Sequence, residues 1–240
     1  MSEININQVA NFIKMYRAAF LPKRFEQLKQ GYQEVQRLSR LEAPEFNIFR
    51  VLQVDRREVK THSAFLAELL NQHGSHGQQF LFLKAFLSHC QNRFTVPIAV
   101  NNCKQHPQPF PYPQLKDPME THEWEVKTEM RTAKHGQMDI IIRSPDLKFL
   151  CVIENKTDAP EGEGQLQSYW NWMQGQRSKY DSQALIFLTP NGRESTACVP
   201  YFKFSYHHDI RALLETTLPR IEAVPIRTVV QQYLQLVLTL

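Results

Sequence analysis

Cysteine is scarce and scattered. The four in 240 residues, Cys90, Cys103, Cys151 and Cys198, form no C-x-x-C pair. Neither a zinc ribbon nor a disulfide framework is expected, and the reading is of a reduced, cytoplasmic protein. Long apolar runs are missing as well. No stretch approaches the roughly 18 apolar residues of a membrane span, and no signal-peptide pattern opens the chain, so no membrane association is expected. A charge of one dominant sign is also lacking. The net charge of +4 permits a polyanionic partner without specifying one. No internal repeat is visible. What remains is an ordinary globular composition, 42% hydrophobic and 22% charged, on a chain long enough to bury a substantial core.

The N-terminal third has helical periodicity. In QVANFIKMYRAAFL, Val9, Phe12, Ile13 and Tyr16 recur at helical spacing. A second helix is expected from Lys23 toward Arg40, ended by Pro44. A short apolar segment then leads to a helix near Ser63–Asn71, a loop at Gly74 and Gly77, and a further helix in QQFLFLKAFLSHC. Six prolines between Pro97 and Pro118 mark an irregular connection. After it the period changes. WEVKTEM, MDIIIR, FLCVIE and ALIFLTP read as strands. EGEGQLQSYWNWMQG reads as a helix, with Leu166, Tyr169, Trp170 and Met173 at helical spacing, and a further strand and helix close the chain. The fold class expected is α/β: a mixed central sheet flanked by helices. The expected division is a helical region over 1–115, packed on a core over 116–240.

The turn-forming residues of RSPDLK, Arg143–Lys148, join two of these strands in a hairpin. That hairpin sets Asp139 opposite Glu154, within a residue or two of register. Cross-strand neighbours lie about 5 Å apart, so two like charges there are destabilising unless something offsets them. A divalent cation does, and Mg²⁺ suits carboxylate oxygens while keeping several waters. Alternation puts Lys156 on the face of Glu154 and the Asn155 side chain on the other. A lone E-x-K triplet is usually a partly exposed salt bridge; the hairpin partner Asp139 is what raises this one. Glu129, near the end of the preceding strand, is a further candidate ligand, in competition with Glu123 and Glu125.

The stretch GQMDIIIRSPDLKFLCVIENK resembles the core of the PD-(D/E)XK nuclease superfamily, in which an acid on one strand and an E-x-K on the next bind metal. GQLQSYW is similar to the Gln-x-x-x-Tyr helix motif of its RecB-like branch, through Gln165 and Tyr169. NIFRVLQVDRREVKTHSAFLAELLNQHGSHGQQFLFLKAFL resembles the N-terminal signature of an uncharacterised bacterial subfamily. The resemblance spans roughly Phe46–Pro190. It implies a restriction-endonuclease-like core and a Mg²⁺-dependent nuclease, with Mn²⁺ able to substitute and DNA as the expected partner. It further implies that Asp139 and Glu154, with the Asn155 carbonyl, hold the metal and that Lys156 serves the attacking water. Gln165 and Tyr169 then line the site from the following helix. The literal PD, Pro145-Asp146, falls in the hairpin turn, too far along the strand from Glu154 to share a metal.

Other residues are less specific. His62 precedes a helix and is read as a cap or phosphate contact; His76 is read as stabilising its loop. His207 and His208 read as surface residues before a helix. Lys23, Arg24, Arg56, Arg57, Lys60, Arg131 and Lys134 either track a nucleic-acid backbone or form solvated faces. Two other readings stay open: an RNA nuclease, and an inactive nucleic-acid-binding or scaffolding protein of the same fold. Oligomeric state is open, a homodimer included.

Overall fold

The change of period after the proline-rich segment becomes a sheet. The computed structural model describes residues 6–43, 46–95, 109–111 and 119–240. Pro44, Cys103 and nearly all of the Pro97–Pro118 connection lie outside the described residues. Five strands pair in sequence order: β1 (Glu125–Thr132), β2 (Gly136–Ser144), β3 (Phe149–Asn155), β4 (Ser182–Thr189) and β5 (Phe202–Ser205). β1–β2 and β2–β3 are antiparallel; β3–β4 and β4–β5 are parallel. The mixed sheet flanked by helices is the α/β architecture the sequence predicts.

Two compact units divide the chain, Met1–Asn47 and Ile48–Leu240. The described part of residues 48–115, assigned by sequence to the helical region, therefore belongs to the same unit as the sheet. The physical reason is a shared core. In the second unit, α3 (Ile48–Val51), a π-helical turn (Glu58–Ser63), α4 (Ala64–Leu70) and α5 (Leu81–Arg93) precede the strands. Helix α6 (Gln165–Gly175) links β3 to β4, and α7 (Arg211–Thr217) and α8 (Val224–Val237) follow β5. Phe82 and Phe86 of α5 pack in one cluster with Ile140, Ile153 and Ile186 of the strands. Alternate strand residues Ile141, Leu150, Val152 and Leu185 pack against Leu166, Tyr169 and Met173 of α6 on the opposite face.

In the first unit, the two helices read from sequence are nearly continuous: α1 (Ile6–Ala19) and α2 (Leu21–Glu42). The Phe20 N–H donates to the Tyr16 carbonyl at 2.9 Å and the Arg24 N–H to the Phe20 carbonyl at 3.1 Å, so the helical ladder crosses the junction. Pro22 sits in the first turn of α2, where its missing N–H is tolerated.

Cys90 and Cys151 are buried free thiols; Cys103 lies outside the described residues.

Candidate active site

The site is built at one end of β2 and β3. The β2–β3 register pairs Ile140 with Ile153, and one step further sets Asp139 opposite Glu154, both buried. Alternation puts them on the α6 face with Ile141 and Val152. Lys156 extends the strand end, its backbone N–H donating to the Leu188 carbonyl of β4 at 2.9 Å. Its ammonium stands 2.7 Å from Glu154 Oε1. The structure thus brings Asp139, Glu154 and Lys156 together.

Their electrostatics are those of a dry, crowded acid pair. Burial pushes the Glu154 carboxyl up to about 8, and the Asp139 charge adds to it, against the opposing pull of Lys156. Asp139 is also raised, chiefly by burial, although the Asn155 N–H donates to its Oδ2 at 2.8 Å. Burial works against the Lys156 charge, but Glu154, Glu58 and Asp139 outweigh it and hold the ammonium above its ordinary value. Two carboxylates share one ammonium in a poorly solvated pocket, so charging the second is unfavourable.

Sequence reasoning missed Glu58. From the π-helical turn its Oε1 accepts from Lys156 Nζ at 3.1 Å and its Oε2 from the Thr157 N–H at 2.8 Å. Nothing local in DRREVK marks it; only its place inside the resembling N-terminal stretch drew attention to that segment.

The Asn155 side chain lies on the other face, as alternation predicts, in a buried polar chain. Its amide donates to Ser63 Oγ at 3.0 Å, and its Oδ1 accepts from the Tyr206 hydroxyl at 2.9 Å. Close by, His62 lies fully buried with Nδ1 2.9 Å from the Tyr233 hydroxyl and Nε2 2.9 Å from the Asp55 carbonyl. Its role as a cap or phosphate contact is corrected: both ring nitrogens serve the core, and burial lowers its pKa. Tyr206→Phe leaves the Asn155 Oδ1 unpaired and should cost about 1–3 kcal/mol. Denaturant titration checks this; an unchanged midpoint would show that Asn155 finds another partner.

The remaining sequence candidates divide. The Tyr169 hydroxyl donates to the Gln137 carbonyl and adjoins Glu154, whose charge helps raise the tyrosine's pKa after burial itself. Gln165 donates to the Tyr169 hydroxyl at 2.8 Å, so it reaches the acid pair through the tyrosine. Glu129 faces Asp139 across the β1–β2 register at a left-handed φ of 55°, a conformation a non-glycine residue holds only under constraint. Its Oε2 accepts from Gln137, and its Oε1 is buried without a hydrogen-bond partner. Glu125 pairs with Arg143 and Lys127. Asp146 lies in the turn, accepting from Ser144 Oγ at 2.7 Å and 2.8 Å from His122 Nδ1. His76 holds its loop: Nδ1 accepts from the Gln78 N–H and Nε2 lies 2.9 Å from the Asn71 carbonyl. His207 and His208 belong to a π-helical turn, Tyr206–Ile210, and only His208 is exposed. Arg56 pairs with Asp158.

The donor set fits a hard cation. Glu154 Oε1 meets the Lys156 ammonium, and Oε2 is buried without a hydrogen bond of good geometry, beside Asp139. Among the described residues no group of three or more His, Cys, Asp or Glu converges to hold a metal. Mg²⁺ needs only one or two carboxylates, because it keeps several waters.

Fold and site together define an α/β protein of restriction-endonuclease-like architecture, with an acid pair and a lysine at a strand end. The chain belongs to the PD-(D/E)XK nuclease superfamily, whose family model matches residues 46–235. No curated protein and no solved structure gives a significant match.

Proposed function

We propose that the protein is a metal-dependent nuclease that hydrolyses phosphodiester bonds, with DNA as substrate. The observation that carries this reading is the buried Glu154 carboxylate, set beside Asp139 and 2.7 Å from Lys156. A scaffold has no use for a costly acid pair in that position.

In this reading Asp139, Glu154 and the Asn155 carbonyl hold a Mg²⁺ ion. A bound divalent cation supplies positive charge to the phosphate and acidifies water. Lys156 orients the attacking water and stabilises charge developing on the phosphate oxygens. Water gives up a proton as its oxygen bonds to phosphorus, the bond to the leaving ester oxygen breaks, and that oxygen takes up a proton, so that one water is added in all. Glu58 holds the lysine as a second partner beside Glu154. Tyr169, braced by Gln165, closes the α6 side, and this Gln-x-x-x-Tyr pair supports placement in the RecB-like branch. Glu129 lies in position for an outer contact through water.

The test is incubation with single-stranded, double-stranded and circular DNA, and with RNA, in Mg²⁺, Mn²⁺ or EDTA. Cleavage of DNA in both metals and none in EDTA is expected. Cleavage of RNA alone would move the substrate to RNA. Tight binding without cleavage under every condition would favour the scaffold.

A further inference from the structure

Helix α2 carries an apolar seam. Leu21, Phe25, Leu28, Tyr32 and Val35 follow one another at intervals of four, three, four and three residues. This is the 3.5-residue repeat that faces a second helix in a coiled coil. All five are between 50% and 72% exposed. The opposite side of the helix is polar throughout: Lys23, Gln27, Gln30, Glu34 and Arg37, the last two paired at 2.7 Å. Before the junction Ile13, Tyr16 and Phe20 repeat the three–four spacing and are also exposed, with Tyr16 and Phe20 stacked, but the single step from Phe20 to Leu21 turns their stripe about 100° away from that of α2. The two runs meet at Phe20 and Leu21, beside Pro22.

A helix this long does not hold its shape by itself. Residues 6–42 span about 55 Å at 1.5 Å per residue, and most helical stability in proteins comes from burying an apolar face. We propose that the seam pairs with the same seam of a second copy of this chain, forming a two-stranded coiled coil that makes the protein a dimer.

Three observations select that occupant. The first is the period, since a heptad seam is matched by a partner of equal repeat, and a second copy supplies one of equal length. The second is supply. Among the described residues of Ile48–Leu240, the large exposed apolar side chains are Val51, Leu52, Val224 and Leu238, too few and too scattered to form a matching stripe. The third is area. Five seam side chains, two of them aromatic, bury on the order of 500 Å² per chain, about 1,000 Å² for the pair, which is what a specific interface must reach. The proposal is independent of the nuclease reading.

The experiment is sedimentation of the full chain at about 10 µM, alongside Phe25→Glu/Leu28→Glu, Val35→Glu, and a control on the polar side, Gln27→Glu/Gln30→Glu. Wild type and control should sediment at twice the chain mass, and both seam variants at half of that. The thermal transition of the sheet unit should be unchanged in the variants, because the substituted positions are exposed. A monomeric wild type, an assembly of more than two chains, or dimeric seam variants would overturn the proposal. So would a control that dissociates like the seam variants, since helix stability would then be responsible.

Discussion

Lys156→Ala should lower the rate of nucleic-acid cleavage by about 10²–10³-fold, the usual loss when one preorganised donor to a developing charge is removed. The lysine is the one cation pressed between acids here, 2.7 Å from Glu154 and 3.1 Å from Glu58. Its removal deletes the positive charge on the phosphate side and leaves three carboxylates without their shared counter-ion. Stability should change much less than activity. The raised pKa values of Glu154 and Asp139 mean that the acids can take up protons when the ammonium is lost. Lys156→Arg is the informative companion. It keeps the charge but replaces a compact ammonium with a planar fork that fits differently between the two glutamates, so it should restore little. Single-turnover cleavage with enzyme in excess, with circular dichroism as the fold control, reads both variants. Equal single-turnover rates for wild type and Lys156→Ala would place the chemistry elsewhere.

How much of this was legible in the sequence depends on how far apart the partners lie along the chain. Ile140–Ile142 and Phe149–Ile153 are recognisable because a short continuous apolar run on each side of Ser-Pro-Asp specifies both the strands and the turn between them. The Asp139–Glu154 juxtaposition follows from that hairpin without further information. Glu58 does not. It lies 98 residues from Lys156 in sequence, and only packing of the π-helical turn beside the sheet end brings the two together. The same holds for Tyr206 on Asn155, 51 residues apart, and Tyr233 on His62, 171 apart. Each looks locally like a core aromatic. His62 was misread because a histidine before a helix is a reasonable cap, and the tyrosine and carbonyl that occupy its nitrogens come from elsewhere in the fold. The left-handed backbone of Glu129 was illegible for a different reason: no glycine or asparagine marks it, so the constraint is tertiary. The near-continuity of α1 and α2 is not legible either: the spacing starts the second helix only at Lys23, whereas Pro22 is tolerated in a helix's first turn and the ladder crosses it.

Legibility and function also part company at the acid pair. Sequence reasoning treats Asp139 and Glu154 as two charges needing a cation. In the folded chain the answer depends on pH, because Glu154 can hold a proton instead. The same burial that raises its pKa ties metal affinity to deprotonation, since the carboxylate form is the ligand.

This gives a second large effect, on stability in EDTA. Glu154 titrates near 4.5 in an unstructured chain and is pushed up to about 8 in the fold, by burial and then by Asp139. Between those values the folded protein binds more protons at this position than the unfolded one. Stability therefore falls as pH rises. The contribution is fully present below about 4.5, and it is lost as pH climbs through about 8, at no more than about 1.4 kcal/mol per pH unit. Asp139, also raised by burial, adds in the same direction. Glu154→Gln removes the titration at little change in volume, so the variant should be more stable than wild type at pH 8 and above without metal. Near pH 4.5 the advantage should vanish. Adding Mg²⁺ should reverse the order: wild type gains stability by binding at its charged carboxylates, increasingly so at higher pH, while the variant gains little. Urea midpoints for both proteins at pH 5, 7 and 9, each in EDTA and in millimolar Mg²⁺, measure all of this. Parallel pH profiles for wild type and Glu154→Gln in EDTA would mean that Glu154 keeps an ordinary pKa. A Mg²⁺ response undiminished in the variant would mean that the ion binds without it.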